Sequence, residues 1–196
     1  MYKEKIIKKF GKEYQVDQDT FIMGIHYLLG ERIAQRFKGH NVILDSCCGA
    51  GFMTVALAKY ANQVIAIDIN SQYLKQAKNN AKIAGIFPKV RFILGDVLNN
   101  DTLNKIPKIN GAFLDPDWAI VEKLKTVHTS KLSGMQPPLD KLFAEIYKKT
   151  QNIAFRLPRE ANLSELGTFP PHKLEKVYLV NDFKFYVVYF GKLAKR

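Results

Sequence analysis

Four short apolar runs, each leading to an aspartate, alternate with helix-patterned segments across residues 42–115. They are Val42-Ile43-Leu44-Asp45, Val64-Ile65-Ala66-Ile67-Asp68, Val90-Arg91-Phe92-Ile93-Leu94 before Gly95-Asp96, and Gly111-Ala112-Phe113-Leu114-Asp115. Short apolar runs bounded by turn residues, one of them the mostly β-branched Val64–Ile67, read as strands. The aspartates are 23, 28 and 19 residues apart, so each interval fits one helix plus one strand. Strands that alternate with helices pair in parallel through right-handed crossovers. The pattern predicts an α/β fold, a mostly parallel sheet with helices on both faces. The four carboxylates then line one edge of the sheet, at the strand ends where open α/β sheets bind ligands.

Helical spacing predicts further elements over Phe21–Phe37 (capped from Asp17-Gln18-Asp19-Thr20), Phe52–Tyr60, Ser71–Ala84 (capped by Ser71 and ended by Gly85) and Leu139–Lys149. Asn152–Arg156 reads as another strand. Lys173–Val180 and Phe183–Phe190 read as a hairpin turning at Asn181-Asp182, which requires one antiparallel C-terminal strand. The polar segment Ala119–Pro138 is expected to be a long loop or partial helix near the site. Residues 1–13 carry Lys3, Lys5, Lys8, Lys9 and Lys12 and read either as a solvated leader or as a phosphate-contacting arm. This divides the chain into a basic N-terminal arm and helix, 1–40, and a catalytic domain, 41–196.

Lys plus Arg number 30 against 18 Asp plus Glu, a net charge of +12, which draws the chain toward polyanions. An RNA or nucleotide partner is therefore expected. The longest apolar stretch, Val42–Ala58, contains Asp45, Gly49 and Gly51, which a membrane-spanning helix would not hold. Residues 1–5 are too polar for a signal peptide. Cys47 and Cys48 are sequence neighbours, which rarely satisfy disulfide geometry, and no Cys/His spacing suits zinc. A reduced, cytoplasmic protein without a metal or membrane anchor is the expectation.

The turn Asp45-Ser46-Cys47-Cys48-Gly49-Ala50-Gly51 matches a dinucleotide fingerprint only at Gly49 and Gly51, with Thr54 at the third position. A carboxylate in that turn repels a pyrophosphate and suits a ligand carrying ammonium and sulfonium charges, such as S-adenosylmethionine. Asp68 is placed to accept from ribose hydroxyls and Asp96 from an adenine amino group. The fourth strand ends Asp115-Pro116-Asp117-Trp118. An exocyclic base amine attacks poorly because its lone pair is drawn into the ring. Two acceptors, the Asp115 carboxylate and the Pro116 carbonyl, can hold its N–H groups while Trp118 stacks on the base, worth about 1–3 kcal/mol.

Residues 42–115 resemble the class I methyltransferases, with their Rossmann-like sheet. Asp115-Pro116-Asp117-Trp118 is similar to the [Asn/Asp/Ser]-Pro-Pro-[Tyr/Trp/Phe] motif of amino-group methyltransferases. With the glycine turn, Val64–Ile69, Ala77–Ala81, Leu157-Pro158-Arg159 and Val188–Gly191, the whole chain resembles the trimethylguanosine synthase, or RNA cap guanine-N2 methyltransferase, family. The resemblance implies S-adenosylmethionine as cofactor and methyl transfer to guanine N2 of RNA. It implies cofactor contacts from Asp45, Cys47, Gly49, Gly51, Asp68, Ile69, Asp96, Val97 and Asp115. Catalytic roles fall to Asp115, Pro116 and Trp118, and substrate contacts to Trp118, Asp117 and Arg159. The chain departs from the motif at Asp117, where a second proline usually sits, and at Ala119-Ile120, where glycines often follow. Asp117 is either a contact to an amino-bearing base or a turn residue. An adenine amine of DNA, a protein glutamine, or cofactor binding without catalysis are the rival readings.

Overall fold

The computed structural model describes residues 2–122 and 125–195, in two compact units that divide between Gly111 and Ala112. In the first unit, β1 (Val42–Ser46), β2 (Gln63–Asp68) and β3 (Val90–Leu94) pair in parallel, with Asp45 opposite Ala66 and Asp68 opposite Leu94. Ile43, Leu44 and Val64 to Ile67 are fully buried, as expected of strands covered on both faces. Between the strands run α4 (Phe52–Leu57) and α5 (Ser71–Ala84), and after β3 a single turn, α6 (Asn100–Leu103). Helix α5 buries Leu74, Ala77 and Ala81 and ends at Gly85, whose φ of 74° suits glycine. Its cap is Asn70 rather than the expected Ser71. The Asn70 side chain accepts from Gln72 N and Tyr73 N at 2.9 and 3.3 Å, which a residue already inside the helix cannot do.

The first 40 residues hold two corrections. Residues 2–10 are not a loose leader but α1 (Tyr2–Phe10), whose Ile6 and Phe10 are buried with Tyr14. The Phe10 ring stacks on Phe52 with centroids 3.7 Å apart, and burial of this apolar stripe holds the helix down despite its lysines. The expected single helix over 21–37 is two, α2 (Gln18–Met23) and α3 (Tyr27–Gln35). The break falls at Gly24, where a Cβ would sit 2.7 Å from the Phe52 ring. Close packing on Phe52 therefore requires glycine at the point where the chain leaves helical geometry.

The second unit contains β4 (Gly111–Leu114, entering from the first), β7 (Ile153–Leu157), β8 (His172–Leu179) and β9 (Asp182–Phe190). Strand β4 pairs parallel to β7, and β9 runs antiparallel to both β7 and β8. The sheet order is β3-β2-β1-β4-β7-β9-β8, mostly parallel with β9 the reversed strand. Helix α7 (Leu139–Tyr147) buries Leu139, Leu142, Phe143 and Ile146.

Two expectations are corrected here as well. Ala119–Pro138 has the expected irregular stretch, with a short helical turn at Leu132–Gly134, but only in its second half. It opens with an antiparallel pair, β5 (Ala119–Glu122) and β6 (Lys125–His128); residues 123 and 124 lie outside the described residues. Thr129 N donates to Trp118 O at 2.9 Å, closing the base of that hairpin. The β8–β9 turn falls at Val180-Asn181, one residue early, because the register shifts between Val177 and Tyr178. Val180 takes the turn's positive φ of 57°. No helix among the described residues is long and apolar enough to cross a membrane.

Candidate active site

The glycine turn joins β1 to α4 in the first unit. Cys47, Gly49 and Gly51 have φ of 70°, 52° and 84°, so the chain reverses tightly over five residues. Cys47 tolerates a backbone region that favours glycine. A Cβ on Gly51 would lie 3.0 Å from the Ala77 Cβ, so glycine is required for α4 to approach α5. Over Gly49 a Cβ would meet nothing within 4 Å, which leaves the turn's outer side open to a ligand. Asn80, fully buried, donates to the carbonyls of Ala50 and Gln15, both at 2.9 Å. It ties the turn to the segment that follows α1.

The carboxylates of this unit divide by burial. Asp45, 1% exposed, sits inside β1 and accepts from the Thr54 hydroxyl, so it braces the turn from beneath. Asp68 ends β2 and accepts from Gly49 N at 2.7 Å and Asn70 N at 2.8 Å. Burial pushes its carboxyl above the ordinary range, partly offset by those backbone donors. The Cys48 thiol is pushed well up by burial and by the charges of Asp45 and Asp68, which marks the turn as electronegative. Cys47 and Cys48 are not joined in a disulfide, and burial makes Cys48 a poor nucleophile at neutral pH. Ile69 is 71% exposed beside Asp68, while Val97 is buried. Asp96 is exposed after β3, its Oδ1 accepting from Leu98 N at 2.9 Å.

This donor set fits S-adenosylmethionine. An open glycine face, negative charge where a sulfonium and ammonium would lie, acceptors for hydroxyl and amino groups, and an exposed aliphatic side chain for an adenine ring all occur in one unit. Among the described residues, no group of three or more His, Cys, Asp or Glu side chains is placed to hold a metal ion.

The second cluster lies in the second unit. Asp115 follows β4, and its carboxylate takes Arg156 Nε at 2.8 and 3.0 Å and Arg156 Nη2 at 2.7 Å. The guanidinium carbon lies 4.7 Å from the Trp118 ring centroid and 5.1 Å from that of Phe185. Burial raises the Asp115 carboxyl, against the pull of Arg156, and the Asp117 charge adds to the rise. Pro116 is buried and Trp118 half-buried, with His128 edge-on to the indole at 5.8 Å. The buried Trp118 Nε1 has no hydrogen-bond partner among the described residues.

Asp117 is exposed and behaves as a turn residue. Its backbone exchanges two hydrogen bonds with Gln136, and its side chain accepts from Ala119 N at 2.9 Å. Arg159 sits on the β8–β9 hairpin, paired with Asp182 at 3.0 Å and lying over the Phe183 ring. The arginine brought to Asp115 and Trp118 is Arg156, which sequence reasoning missed. Its signal was present: a charged residue inside the apolar strand Ile153-Ala154-Phe155-Arg156-Leu157 demands a buried partner.

Known proteins resemble this chain in sequence and in fold. An uncharacterized RNA methyltransferase of Nostoc sp. is 32% identical over 44% of this chain and 20% of its own length. A Porphyromonas gingivalis structure described as a methyltransferase superposes with a TM-score of 0.77 at 16% identity, over 95% of this chain and 47% of that one. TrmK of M. capricolum, solved with S-adenosyl-homocysteine, superposes with a TM-score of 0.59 at 13% identity, over 82% of this chain and 66% of that one. This chain thus spans about half the P. gingivalis chain and a fifth of the Nostoc relative. The profile of the RNA cap guanine-N2 methyltransferases matches residues 40–193, over a Rossmann-like sheet and a turn suited to S-adenosylmethionine, the cofactor of this chain, which therefore belongs to that family.

Proposed function

We propose that this chain is an S-adenosylmethionine-dependent RNA methyltransferase whose acceptor is an exocyclic amine, guanine N2. The observation that carries the reading is the largely buried Asp115 carboxylate, directly after β4 and one proline and one turn residue before Trp118. The family match and the net charge of +12 support an RNA acceptor. When bound, S-adenosylmethionine supplies an electrophilic methyl on sulfur.

The residues divide the remaining work. Asp68 and Asp96 accept from hydroxyl and amino groups, Ile69 and Val97 flank the adenine, and Cys47, Gly49 and Gly51 let the backbone approach closely. Asp45 sets the turn and its negative charge. Asp115 and the Pro116 carbonyl accept from the acceptor amine, turning its lone pair outward, and Asp115 collects the departing proton. Trp118 packs on the base with the indole surface that Arg156 leaves uncovered. Positioning and exclusion of water provide most of the rate. Arg159, exposed, is left to contact phosphate. In this reading residues 1–40 are a basic extension facing RNA and residues 41–196 the methyltransferase domain. Lys75, Lys78 and Lys82 form an exposed row on α5, suited to phosphates, and Lys5, Lys8 and Lys12 are exposed on and just after α1.

Methyl transfer from labelled cofactor to fractionated RNA, DNA and protein, followed by nucleoside and amino-acid analysis, tests the reading. N2-methylguanosine is the expected product. Label confined to N6-methyladenine or to protein would replace it.

A further inference from the structure

Arg156 is the one residue of β7 that carries a charge, and it is only 8% exposed. Its guanidinium lies against two aromatic rings, Trp118 and Phe185, which fix its plane. That plane in turn fixes the Asp115 carboxylate, because Nε and Nη2 together reach both carboxylate oxygens at 2.7–3.0 Å. We propose that Arg156 is a positioning residue that holds Asp115 as an oriented anion for the acceptor amine. The proposal rests on the reading of Asp115 as the amine acceptor, and deepens it.

The chemistry explains why such a partner is needed. A carboxyl buried without a cation takes up a proton, and a neutral carboxyl neither accepts two N–H groups well nor collects a proton from the methylated amine. Arginine stays charged at any working pH, so it is the cation for this task. An ionised carboxylate has about four lone-pair directions. The Arg156 fork uses the side it faces and leaves the others pointing in fixed directions toward an incoming amine. Stacking on Trp118 couples the same guanidinium to the proposed base platform. A shift of Arg156 would therefore disturb both the acceptor oxygens and the ring.

A rival use of the same contact exists. A guanidinium is a planar carbon bearing N–H donors, as is the N1–C2–N2 edge of guanine. Arg156 could therefore occupy the amine subsite as an internal plug that substrate displaces. Its place on a buried strand, paired with Asp115 and set against two rings, argues against displacement at every turnover, since each event would strand a buried charge.

The two uses predict opposite results. In Arg156→Met, transfer to RNA at neutral pH is expected to fall about 100-fold. The acid limb of its pH–rate profile should move up by about one unit or more. S-adenosyl-homocysteine affinity in calorimetry should stay within about twofold, since the cofactor residues of the first unit are untouched. Arg156→Lys keeps the charge and loses the fork, and should fall between the two. A rise in kcat/KM in either variant, or an unmoved acid limb, would overturn the proposal. Should Arg156→Met not fold, Arg156→Lys still tests it through the ¹³C titration of the Asp115 carboxyl, assigned by difference with Asp115→Asn. An upward displacement of that titration supports the proposal, and identical titration in wild type and Arg156→Lys sinks it. Absence of N2-methylguanosine from the wild-type reaction sinks instead the reading of the acceptor, a distinct outcome.

Discussion

Asp68 accepts the backbone N–H of Gly49 at 2.7 Å, so the end of β2 holds the turn that follows β1. One carboxylate thus shapes the turn and, in the proposed function, reaches the cofactor ribose. Asp68→Asn keeps an acceptor for Gly49 but loses the charge. Cofactor affinity should drop about 10-fold or more in calorimetry.

The titration of Asp68 supplies a pH test with opposite signs. Burial raises its folded carboxyl above the ordinary value, so the ionised form costs the fold stability at neutral pH. The contribution of this group to fold stability should improve as pH falls through the folded value toward the unfolded one. Cofactor affinity should fall over the same window, since protonation removes the acceptor charge. Denaturation and calorimetry across that acidic range, on wild type and Asp68→Asn, check both; the variant should show neither dependence.

Gly51→Ala should destabilise the first unit by about 1–3 kcal/mol. The backbone there has a φ of 84°, and the new methyl would press 3.0 Å from the Ala77 Cβ and 3.2 Å from its Cα. Urea denaturation reads the loss, and weaker S-adenosyl-homocysteine binding should accompany it. Equal stability in the two proteins would mean that α4 and α5 are not held at this distance.

Trp118→Ala should weaken RNA binding by about 1–3 kcal/mol while cofactor affinity stays intact. Trp118→Phe should keep part of the loss, because a smaller ring face remains. Parallel calorimetry with RNA and with S-adenosyl-homocysteine separates the two ligands; equal loss of both would remove the stacking role.

Replacing Lys75, Lys78 and Lys82 by Ala leaves the buried face of α5 untouched, since Leu74, Ala77 and Ala81 carry the packing. RNA affinity should fall uniformly across sequences. The dependence of log affinity on log salt should flatten by about 0.7 for each phosphate that is no longer neutralised. A salt slope equal to wild type would assign the phosphates to another surface, with Lys5, Lys8 and Lys12 the next candidates.

All seven strands of the large sheet are visible in the sequence, their ends within one or two residues. β-branched runs such as Val64–Ile67, and punctuation such as Gly85 and Asn181, act between chain neighbours. The Asp at or beside the end of each of β1 to β4 was legible for the same reason. The two-stranded β5–β6 hairpin was not, because Ile120-Val121 and Thr126-Val127 are short β-branched pairs set among polar residues. The break at Gly24 was not either, because helical periodicity on its two sides is continuous and what forbids a side chain there is the fold, the Phe52 ring and the Thr20 carbonyl both 2.7 Å from a Cβ.

What this sequence determined alone is everything set over a few bonds: which segments are strands or helices, where the chain turns, and which residues end each strand. What only tertiary structure decided is which distant groups meet. Arg156 reaches Asp115 across 41 positions because β7 lies beside β4, and Arg159, only three residues further on, goes to Asp182 on the hairpin. A charge in an apolar strand announces that a partner must exist, since its burial is otherwise too costly. Which partner it finds depends on strand order, and strand order is a property of the whole packed sheet.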